Sequence, residues 1–314
     1  MFAKFLSLLL LVTVTIGAVN AQTVTDWWML QNYHPTEEIE DLAQKASFSE
    51  GGEQLFYISR PEVNNKAQFV HNCPTLERGS VLGCYTGNEI YLLNPNRVEL
   101  ENIIEVTAAH EMLHAAYARL SVKQKQEIDT LLLVQYKKVE DKKVIELVEE
   151  YKKADPTVLN NELHSILPTQ VEKLPPELEE YFSQYFIDRK VVVRAYKSYA
   201  AVFADIEEQL SELEAQINVA KSQITNLKNS IETLEAELST MQAQMTAYNN
   251  SGNTAEYNAM VPLYNQRVER YRQLVTQHNV LVDKINNLVA QYNDLALYEK
   301  DLAESLESTK ISPF

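Results

Sequence analysis

Glycine is scarce in this chain and unevenly distributed. The sequence has 7 glycines in 314 residues, and only Gly252 lies beyond Gly87. Glycine is the usual residue at tight turns and bulges, so a long stretch without it favours uninterrupted helix. The sequence therefore predicts that strands lie up to and around Gly87 and that nearly all of the chain beyond it is helical. The expected fold class is α+β, mainly α.

Cysteine is also rare, because Cys73 and Cys84 are the only two. An even number of cysteines close together in the sequence is typical of a disulfide in an oxidising compartment. Such a bond closes a short loop and stabilises a fold by about 3 kcal/mol. A zinc-binding cysteine pair is the alternative, although such pairs normally have tighter spacing. We therefore predict a disulfide between Cys73 and Cys84.

Basic residues are in the minority. The chain has 28 Lys and Arg against 44 Asp and Glu, a formal net charge of −16. Nucleic acids and anionic membrane surfaces bind clusters of Lys and Arg, so we expect neither as a partner. Basic proteins and divalent cations remain compatible with such an acidic chain.

Long apolar runs are missing from the sequence except near its start. Residues 5–16 form a short apolar run after the basic Lys4, and Ala21 ends a pattern typical of signal-peptide cleavage. The run is too short for a good membrane span. We predict that residues 1–21 are a signal peptide and that the protein is extracellular, periplasmic or cell-surface. The alternative is an uncleaved anchor, in which case a membrane is also a partner.

Two stretches early in the chain have strand composition. They are residues 54–59 (QLFYIS) and residues 89–93 (EIYLL), and each is followed by a proline two positions on. Aromatic and β-branched runs that end in turn residues favour strands. Upstream of them, Thr36 followed by two glutamates predicts the N-cap of a helix. Residues 22–95 are therefore expected to form a small mixed sheet with a helix.

Several helix signals follow in the middle of the chain. Ser121 and Thr157 are predicted N-caps, and Pro176 suits the first turn of a helix. Breaks are predicted at Pro156 and Pro168, because proline removes a backbone donor. These signals predict a helical subdomain after the sheet.

The last third of the chain has a sustained heptad pattern. Apolar residues recur in alternating steps of four and three over residues 206–248, and a second periodic stretch covers 260–306. The turn sequence NNSGN separates the two stretches at 249–253. Heptads favour a left-handed coiled coil, and two arms joined by a tight turn favour an antiparallel hairpin. An intermolecular bundle would use the same apolar positions.

Pro262 lies early in the second arm and predicts a kink or a restart of the helix there. Residues 205–314 have 16 acidic and 8 basic residues, a net of −8 and half of the formal charge of −16. We therefore divide the chain into a signal peptide at 1–21, a compact domain at 22–198 and an acidic coiled-coil hairpin at 199–310.

The segment VTAAHEMLHAAY has the chemistry of a zinc site. It lacks Gly and Pro, and the spacing of four between His110 and His114 places both imidazoles on one face of a helix. Glu111 projects about 100° further round and can take a proton from a metal-bound water. We predict that His110 and His114 bind one Zn²⁺ ion and that Glu111 is the general base. The alternative is two core histidines beside an unrelated glutamate.

This motif, together with Asn161-Glu162 in the later segment LNNELHS, resembles the gluzincin branch of the zincin metallopeptidases, the thermolysin-like group. The resemblance implies a zincin-like domain in which Glu162 completes a His₂Glu zinc site and Glu111 is the general base. It also implies that Asn161 supports a histidine ligand. The chain departs from the group at Ile166, where an aspartate is common, so support for the ligands must come from elsewhere.

His164 is the rival for the third ligand position. It lies two residues from Glu162 and should face another side of the helix, and His₂Glu is a standard catalytic zinc set, so Glu162 is preferred. The remaining alternative for Glu162 is a solvated helix position without a role. Much of residues 50–200 is also similar to a group of bacterial exported proteins, a resemblance that implies a common domain but no particular reaction.

The zincin resemblance also implies where a substrate binds. Zincins usually hold an extended peptide along an edge strand beside the metal helix, and residues 89–93 are the nearest upstream candidate, with an ordinary core strand as the alternative. An oxyanion stabiliser is expected near the metal. The candidates are Tyr117, His164, Tyr181 and Tyr185.

Taken together, these features favour an exported zinc metallopeptidase, a hydrolase that cleaves a peptide or protein substrate with zinc-activated water. The coiled coil would then position the enzyme or select a protein partner. The alternative is a cell-surface interaction protein in which the coiled coil is functional and the zinc domain is inactive or structural. A third reading is zinc-dependent hydrolysis of a non-protein amide, for example in a cell-wall peptide.

Overall fold

The structure is a computed structural model that describes residues 24–73 and 82–306. The predicted signal peptide at 1–21 lies outside the described residues. Among the residues that are described, no helix has the length and apolar character needed to cross a membrane. The chain divides into two compact units, Met1–Val202 with Leu302–Phe314, and Phe203–Asp301.

The first unit begins with three short helices. They are α1 at 24–32, α2 at Glu37–Lys45 and α3 at Glu50–Ile58. Thr36 is the N-cap of α2, and its side chain accepts a hydrogen bond from the Ile39 N–H. Three glutamates lie in the first turn of α2, where their negative charge interacts favourably with the positive end of the helix dipole. The predicted N-cap is confirmed.

The predicted strand at 54–59 is wrong, because these residues belong to α3. Ser49 caps this helix by accepting a hydrogen bond from the Gly52 N–H. Gly52, Leu55 and Phe56 are buried, and their spacing of i, i+3 and i+4 is the period of a helix rather than of a strand. The aromatic and β-branched composition thus belongs to the buried face of a helix.

The sheet is mixed and has three strands in the order β1-β3-β2. The strands are β1 at Glu62–Asn64, β2 at Gly83–Thr86 and β3 at Glu89–Leu93. The predicted strand at 89–93 is therefore confirmed as β3, which pairs in parallel with β1 and antiparallel with β2. Gly87 and Asn88 form the two-residue turn between β2 and β3, with φ angles of 60° and 68° that suit a tight hairpin.

The predicted disulfide between Cys73 and Cys84 is present. It joins the end of helix α4, which covers Lys66–Asn72, to strand β2. Cys73 is buried with Phe69 and Leu93 in a small core cluster. The bond therefore fixes β2 against the body of the first unit.

Five helices follow the sheet in the first unit. After a short 3-10 helix at Val98–Leu100 they are α5 at Ile103–Arg119, α6 at Val122–Tyr136, α7 at Lys142–Ala154, α8 at Leu159–Gln170 and α9 at Pro176–Phe182. Ser121 caps α6 in a capping box with Gln124, and Pro176 lies in the first turn of α9, both as predicted. Helix α7 ends just before the predicted break at Pro156.

Two predicted features of α8 are wrong. Thr157 does not cap the helix, because its hydroxyl donates to the Asp155 carboxylate and α8 begins two residues later. Pro168 does not end the helix, which continues for two more residues. A proline so near the end of a helix removes few hydrogen bonds. In addition, Arg189 donates to the carbonyl oxygens of Pro168 and Val171 at 3.2 and 2.7 Å.

Phe203–Asp301 consists of parts of two long helices. Helix α10 covers Lys190–Asn250 and α11 covers Thr254–Leu306, with the turn at 251–253, as predicted. The Tyr271 hydroxyl donates to Glu235 at 2.8 Å, and Arg267 pairs with Glu237 at 3.4 Å. Residue numbers rise on one helix as they fall on the other, so the two helices are antiparallel. The predicted hairpin and the α+β, mainly α fold class are confirmed.

Helix α11 runs through Pro262 without a break, so the predicted restart of the helix is not found. Proline at this position removes one backbone hydrogen bond from a helix of 53 residues. The many remaining hydrogen bonds and the heptad packing hold the helix together across it.

Candidate metal centre

Helix α5 lies at the centre of the first unit and positions the His-Glu-Met-Leu-His motif. It packs against α2, α3, α8, β2 and β3. Its sequence is rich in Ala and lacks Gly and Pro, which favours helix. Small buried residues allow neighbouring elements to approach its axis closely. These are Ala108, Ala109, Ala115 and Ala116.

The two motif histidines meet Glu162 of α8. His110 Nε2 lies 3.4 Å from Glu162 Oε2, and His114 Nε2 lies 3.5 Å from Glu162 Oε1. One ligand atom from each of the three residues lies within 4.8 Å of the others, so this group could hold a metal ion. Ligand atoms bound tetrahedrally to zinc at 2.0–2.1 Å are separated by roughly 3.3 Å, close to the distances found here.

The surroundings of Glu162 also fit a cation. Its side chain is buried, and its Oε2 atom has no hydrogen-bond partner among the described residues. A buried carboxylate oxygen without a partner is costly unless a cation compensates it. The residues present therefore fit a bound metal ion.

The pKa shifts of His114 and Glu162 favour metal binding, whereas the shift of His110 opposes it. Burial lowers the pKa of His114 to about 4 and keeps its imidazole neutral. Burial would lower the pKa of His110 as well, but the Glu162 carboxylate outweighs it and raises that pKa. Burial would raise the pKa of Glu162, but the two histidines lower it. Neutral imidazole and ionised carboxylate are the forms that bind metal ions.

Glu111 lies beside this group and faces strand β2. Burial raises the pKa of the Glu111 carboxyl to about 7, with a further increase from Glu162 and opposing effects from His110 and from a hydrogen bond donated by the Tyr85 backbone N–H. A carboxylate with a pKa near 7 is suited to exchange protons at neutral pH.

Gly83 allows β2 to lie directly against Glu111. A Cβ atom on Gly83 would lie 2.7 Å from Glu111 Cγ and Oε1 and 2.6 Å from Thr107 Cγ2. These distances are too short for any side chain to fit without movement. Glycine at this position therefore permits the close approach of β2 to the motif helix.

The variant Gly83→Ala should reduce activity while zinc is retained. The added methyl group displaces either β2 or the Glu111 side chain, and an error of about 1 Å in such a position costs about a hundredfold in rate. The measurements are zinc content and kcat/KM for a peptide. The control is Thr86→Ala, which removes atoms from the same strand. Full activity of Gly83→Ala would show that the close packing of β2 has no functional role.

Ser165 of α8 supports the ligand His114. Its Oγ lies 3.2 Å from His114 Nδ1 and donates to the Asn161 carbonyl oxygen at 3.4 Å. The serine oxygen can therefore accept a hydrogen bond from His114 Nδ1–H, which leaves Nε2 free to bind a metal. Ser165 is fully buried and supplies the support that Ile166 cannot. The sequence contained a signal for it, because Ser165 follows Glu162 by three residues and shares its helix face.

Asn161 also lies at the centre, as the zincin resemblance implies. Its side chain interacts with the His114 imidazole and lines the same cleft. Its Oδ1 atom is buried and lacks a hydrogen-bond partner within the part of the chain that the structure describes.

The variant Ser165→Ala is expected to weaken zinc binding by about tenfold to a hundredfold, as is usual when a hydrogen bond to a metal ligand is lost. Competition with a zinc-binding dye measures the affinity. Thr169→Val is the matched control, because the Thr169 hydroxyl on the same helix donates to backbone carbonyl oxygens rather than to a ligand. Equal zinc affinities for Ser165→Ala and the wild type would contradict the supporting role.

The rival ligand His164 faces away from the three ligand atoms. Its Nε2 atom lies 2.8 Å from the Tyr181 hydroxyl, and its ring packs against Tyr117 and Phe182. Burial lowers its pKa to about 3, so the ring is a neutral member of a packed aromatic cluster.

The four oxyanion candidates belong to this aromatic cluster. The Tyr117 hydroxyl donates to Asp129 at 3.0 and 3.2 Å, and Tyr185 packs on Tyr181 with ring centroids 6.0 Å apart. None of Tyr117, His164, Tyr181 and Tyr185 is among the described residues that line the cleft at the metal centre. The structure therefore does not place these four side chains in the cleft beside His110, His114 and Glu162.

A cleft of about 520 Å³ opens beside the ligand group. Strand β2 lines one side, and residues of α5, α7, α8 and the start of α10 line most of the rest. The cleft is also lined by residues that the sequence pattern did not single out, among them Lys143, Leu147, Tyr151, Gln170, Tyr196 and Tyr199. No local pattern marks them, because they reach the cleft only when helices far apart in the sequence pack together.

The prediction that residues 89–93 form an edge strand beside the substrate is wrong. Strand β3 is central and pairs on both sides, because the tight turn at Gly87 and Asn88 folds β2 back along it. Strands β1 and β2 are the edge strands, and β2 lines the cleft.

Comparisons of the chain with protein-family models, with curated proteins and with solved structures give no match. The resemblance to gluzincins therefore rests only on the residues of this chain.

Proposed function

We propose that the protein is an exported zinc-dependent metallopeptidase of the gluzincin type. The main support is the convergence of one ligand atom each from His110, His114 and Glu162 within 4.8 Å of one another. The buried Glu111 beside them and the open cleft also support hydrolysis. The Cys73–Cys84 disulfide supports export, because such bonds persist in oxidising compartments.

Each part of the centre has a chemical role in this proposal. Zinc held by the three ligands supplies a Lewis acid and lowers the pKa of a water molecule to about 7. Glu111 accepts a proton from the attacking water and passes it to the departing amine nitrogen. Ser165 holds the orientation and tautomer of His114.

Strand β2 is the proposed binding strand for the substrate. An edge strand offers free backbone N–H and C=O groups, with which an extended peptide can pair. The disulfide at Cys84 and the close contact at Gly83 hold this strand beside Glu111. A peptide paired with β2 would thus have its backbone near the general base.

Zinc content and peptide hydrolysis, measured together, test this function. The wild type should contain zinc and cleave unstructured peptides, whereas Glu162→Ala should lose both properties. Glu177→Ala is the matched control, because Glu177 is an exposed glutamate on the surface of α9. A wild-type protein that contains zinc but cleaves no peptide would favour hydrolysis of a different amide or a structural zinc site.

The coiled-coil hairpin supports a second role, binding of a protein partner. Phe203–Asp301 forms a compact unit of its own, and many of its heptad positions pair the two helices with each other. Deletion of 203–301, with a short flexible linker in its place, should abolish partner binding without removing zinc, because Leu302 and Leu306 then stay with the first unit. If that deletion abolishes the biological effect and Glu111→Gln does not, the interaction role is the primary one.

A further inference from the structure

Helix α1 has an inner face that anchors it to the first unit. Its partly buried residues recur with spacing i, i+3, i+4 and i+7. They are Asp26, Met29, Leu30 and Tyr33. Asp26 pairs with Arg119 at 3.2 Å, and the Tyr33 hydroxyl donates to the Pro61 carbonyl oxygen at 3.2 Å. The orientation of α1 on the protein is therefore fixed.

The opposite side of α1 is exposed and presents three large apolar side chains beside the polar Gln31. Val24 is 62% exposed, Trp27 62% and Trp28 53%, and their spacing of i, i+3 and i+4 places them together. We call these three residues the tryptophan face. The chain has 2 tryptophans, and both lie here. A contiguous exposed group of large apolar side chains on a fixed helix is typical of an interaction surface.

The sequence segment that contains the tryptophan face has few charges despite the acidity of the chain. Between residues 17 and 36 the only Asp, Glu, Lys or Arg is Asp26, which faces inward and is paired with Arg119. A neutral apolar face can enter the headgroup layer of a membrane without desolvating a charge. Tryptophan in particular is enriched at that layer, where its ring is apolar and its N–H stays hydrated.

The sequence before α1 also favours a membrane as the partner of the tryptophan face. Seven residues, 17–23, separate the apolar run at 5–16 from Val24. Seven or eight residues span at most about 28 Å, so α1 lies close to any membrane that the run enters during export. A helix with one apolar face then lies in the plane of the membrane surface.

We propose that the tryptophan face binds the headgroup layer of a zwitterionic phospholipid membrane. Zwitterionic lipid is the appropriate surface because the net charge of −16 opposes approach to anionic lipid. Membrane contact through α1 would make the exported protein a peripheral surface protein. The binding is independent of the metal centre, so it does not depend on the proposed peptidase activity.

Tryptophan fluorescence tests this directly on the full chain, because emission comes from the tryptophan face alone. Addition of phosphatidylcholine vesicles should shift the emission to shorter wavelength, and brominated lipid should quench it. In sedimentation with vesicles, Trp27→Ser with Trp28→Ser should lower the affinity by about tenfold or more, since each ring buries apolar surface. Ile187→Ser should have no effect, although Ile187 is 80% exposed.

Two results would overturn the proposal. One is an unchanged emission spectrum in the presence of vesicles, even if the protein sediments with them through another segment. The other is a shift that appears without lipid and grows with protein concentration, which would show that a second copy covers the face. The wild-type spectrum decides between these outcomes even if the double variant fails to fold.

Discussion

Replacement of Glu111 by Gln should lower kcat/KM for peptide hydrolysis by about a hundredfold to ten-thousandfold while zinc still binds. The amide has nearly the same shape as the carboxyl group but cannot accept the proton of the attacking water. Glu111 is only 5% exposed, so bulk solvent is poorly placed to replace it. Steady-state cleavage of a fluorogenic peptide gives the rate, and metal analysis of the same sample gives the zinc content.

Glu105→Gln is the matched control for this substitution. Glu105 is a second buried glutamate on α5, 6% exposed, and it lies 3.9 Å from Lys45 rather than at the metal centre. This variant should retain nearly full kcat/KM. If Glu111→Gln is as active as the wild type, Glu111 is not the general base. If it loses zinc, Glu111 helps to bind the metal instead.

Arg189→Met should destabilise the fold by about 2 kcal/mol, because it removes a buried guanidinium whose hydrogen bonds satisfy a carboxylate and several backbone carbonyl oxygens. Arg189 is 4% exposed and donates to the Glu179 carboxylate at 2.5 and 2.7 Å. It also donates to three backbone carbonyl oxygens near the end of α8, those of Pro168, Val171 and Glu172. Methionine fills similar volume but leaves all of these acceptors without their donor.

Urea unfolding measures this loss, and Arg194→Met provides the comparison. The Arg194 side chain is 63% exposed, so its replacement should change stability by less than about 0.5 kcal/mol. A loss below about 1 kcal/mol for Arg189→Met would contradict the structural role of Arg189.

The stability difference between the wild type and Arg189→Met should also depend on pH. Burial would raise the pKa of Glu179, but Arg189 outweighs it and lowers that pKa. A carboxyl whose pKa is lowered by folding stabilises the fold above its unfolded pKa, and this contribution is lost as the pH falls through the folded value. The difference in stability between wild type and Arg189→Met should therefore shrink in acid.

The large features of the fold could be predicted because they depend on repeated local signals. The heptads of α10 and α11, the capping residues Thr36 and Ser121, and the composition of β3 each act over a few residues. Helix α3 was missed because its buried face contains aromatic and β-branched residues that also suit a strand. Pro168 misled for a different reason, since Arg189 satisfies carbonyl oxygens near the helix end from a distant part of the chain.

The candidate site likewise has residues that a local sequence pattern predicts and residues that no local pattern marks. The spacing of His110, Glu111 and His114 is a local helical pattern, and it placed the three side chains correctly relative to α5. The third residue of the ligand group, Glu162, came from a resemblance rather than from a pattern. Gly83 and Tyr196 had no local signal, because strand β2 and helix α10 reach the cleft only through tertiary packing.

Metal analysis of the protein purified without added metal tests the central claim most directly. Mass spectrometry of the digested sample should find one zinc ion per wild-type chain, and Glu162→Ala should retain almost none after dialysis. The geometry that motivates this result is the pair of contacts from His110 and His114 to Glu162 at 3.4 and 3.5 Å. A correctly folded wild-type protein that binds no zinc, or a Glu162→Ala variant that keeps all of it, would contradict the account.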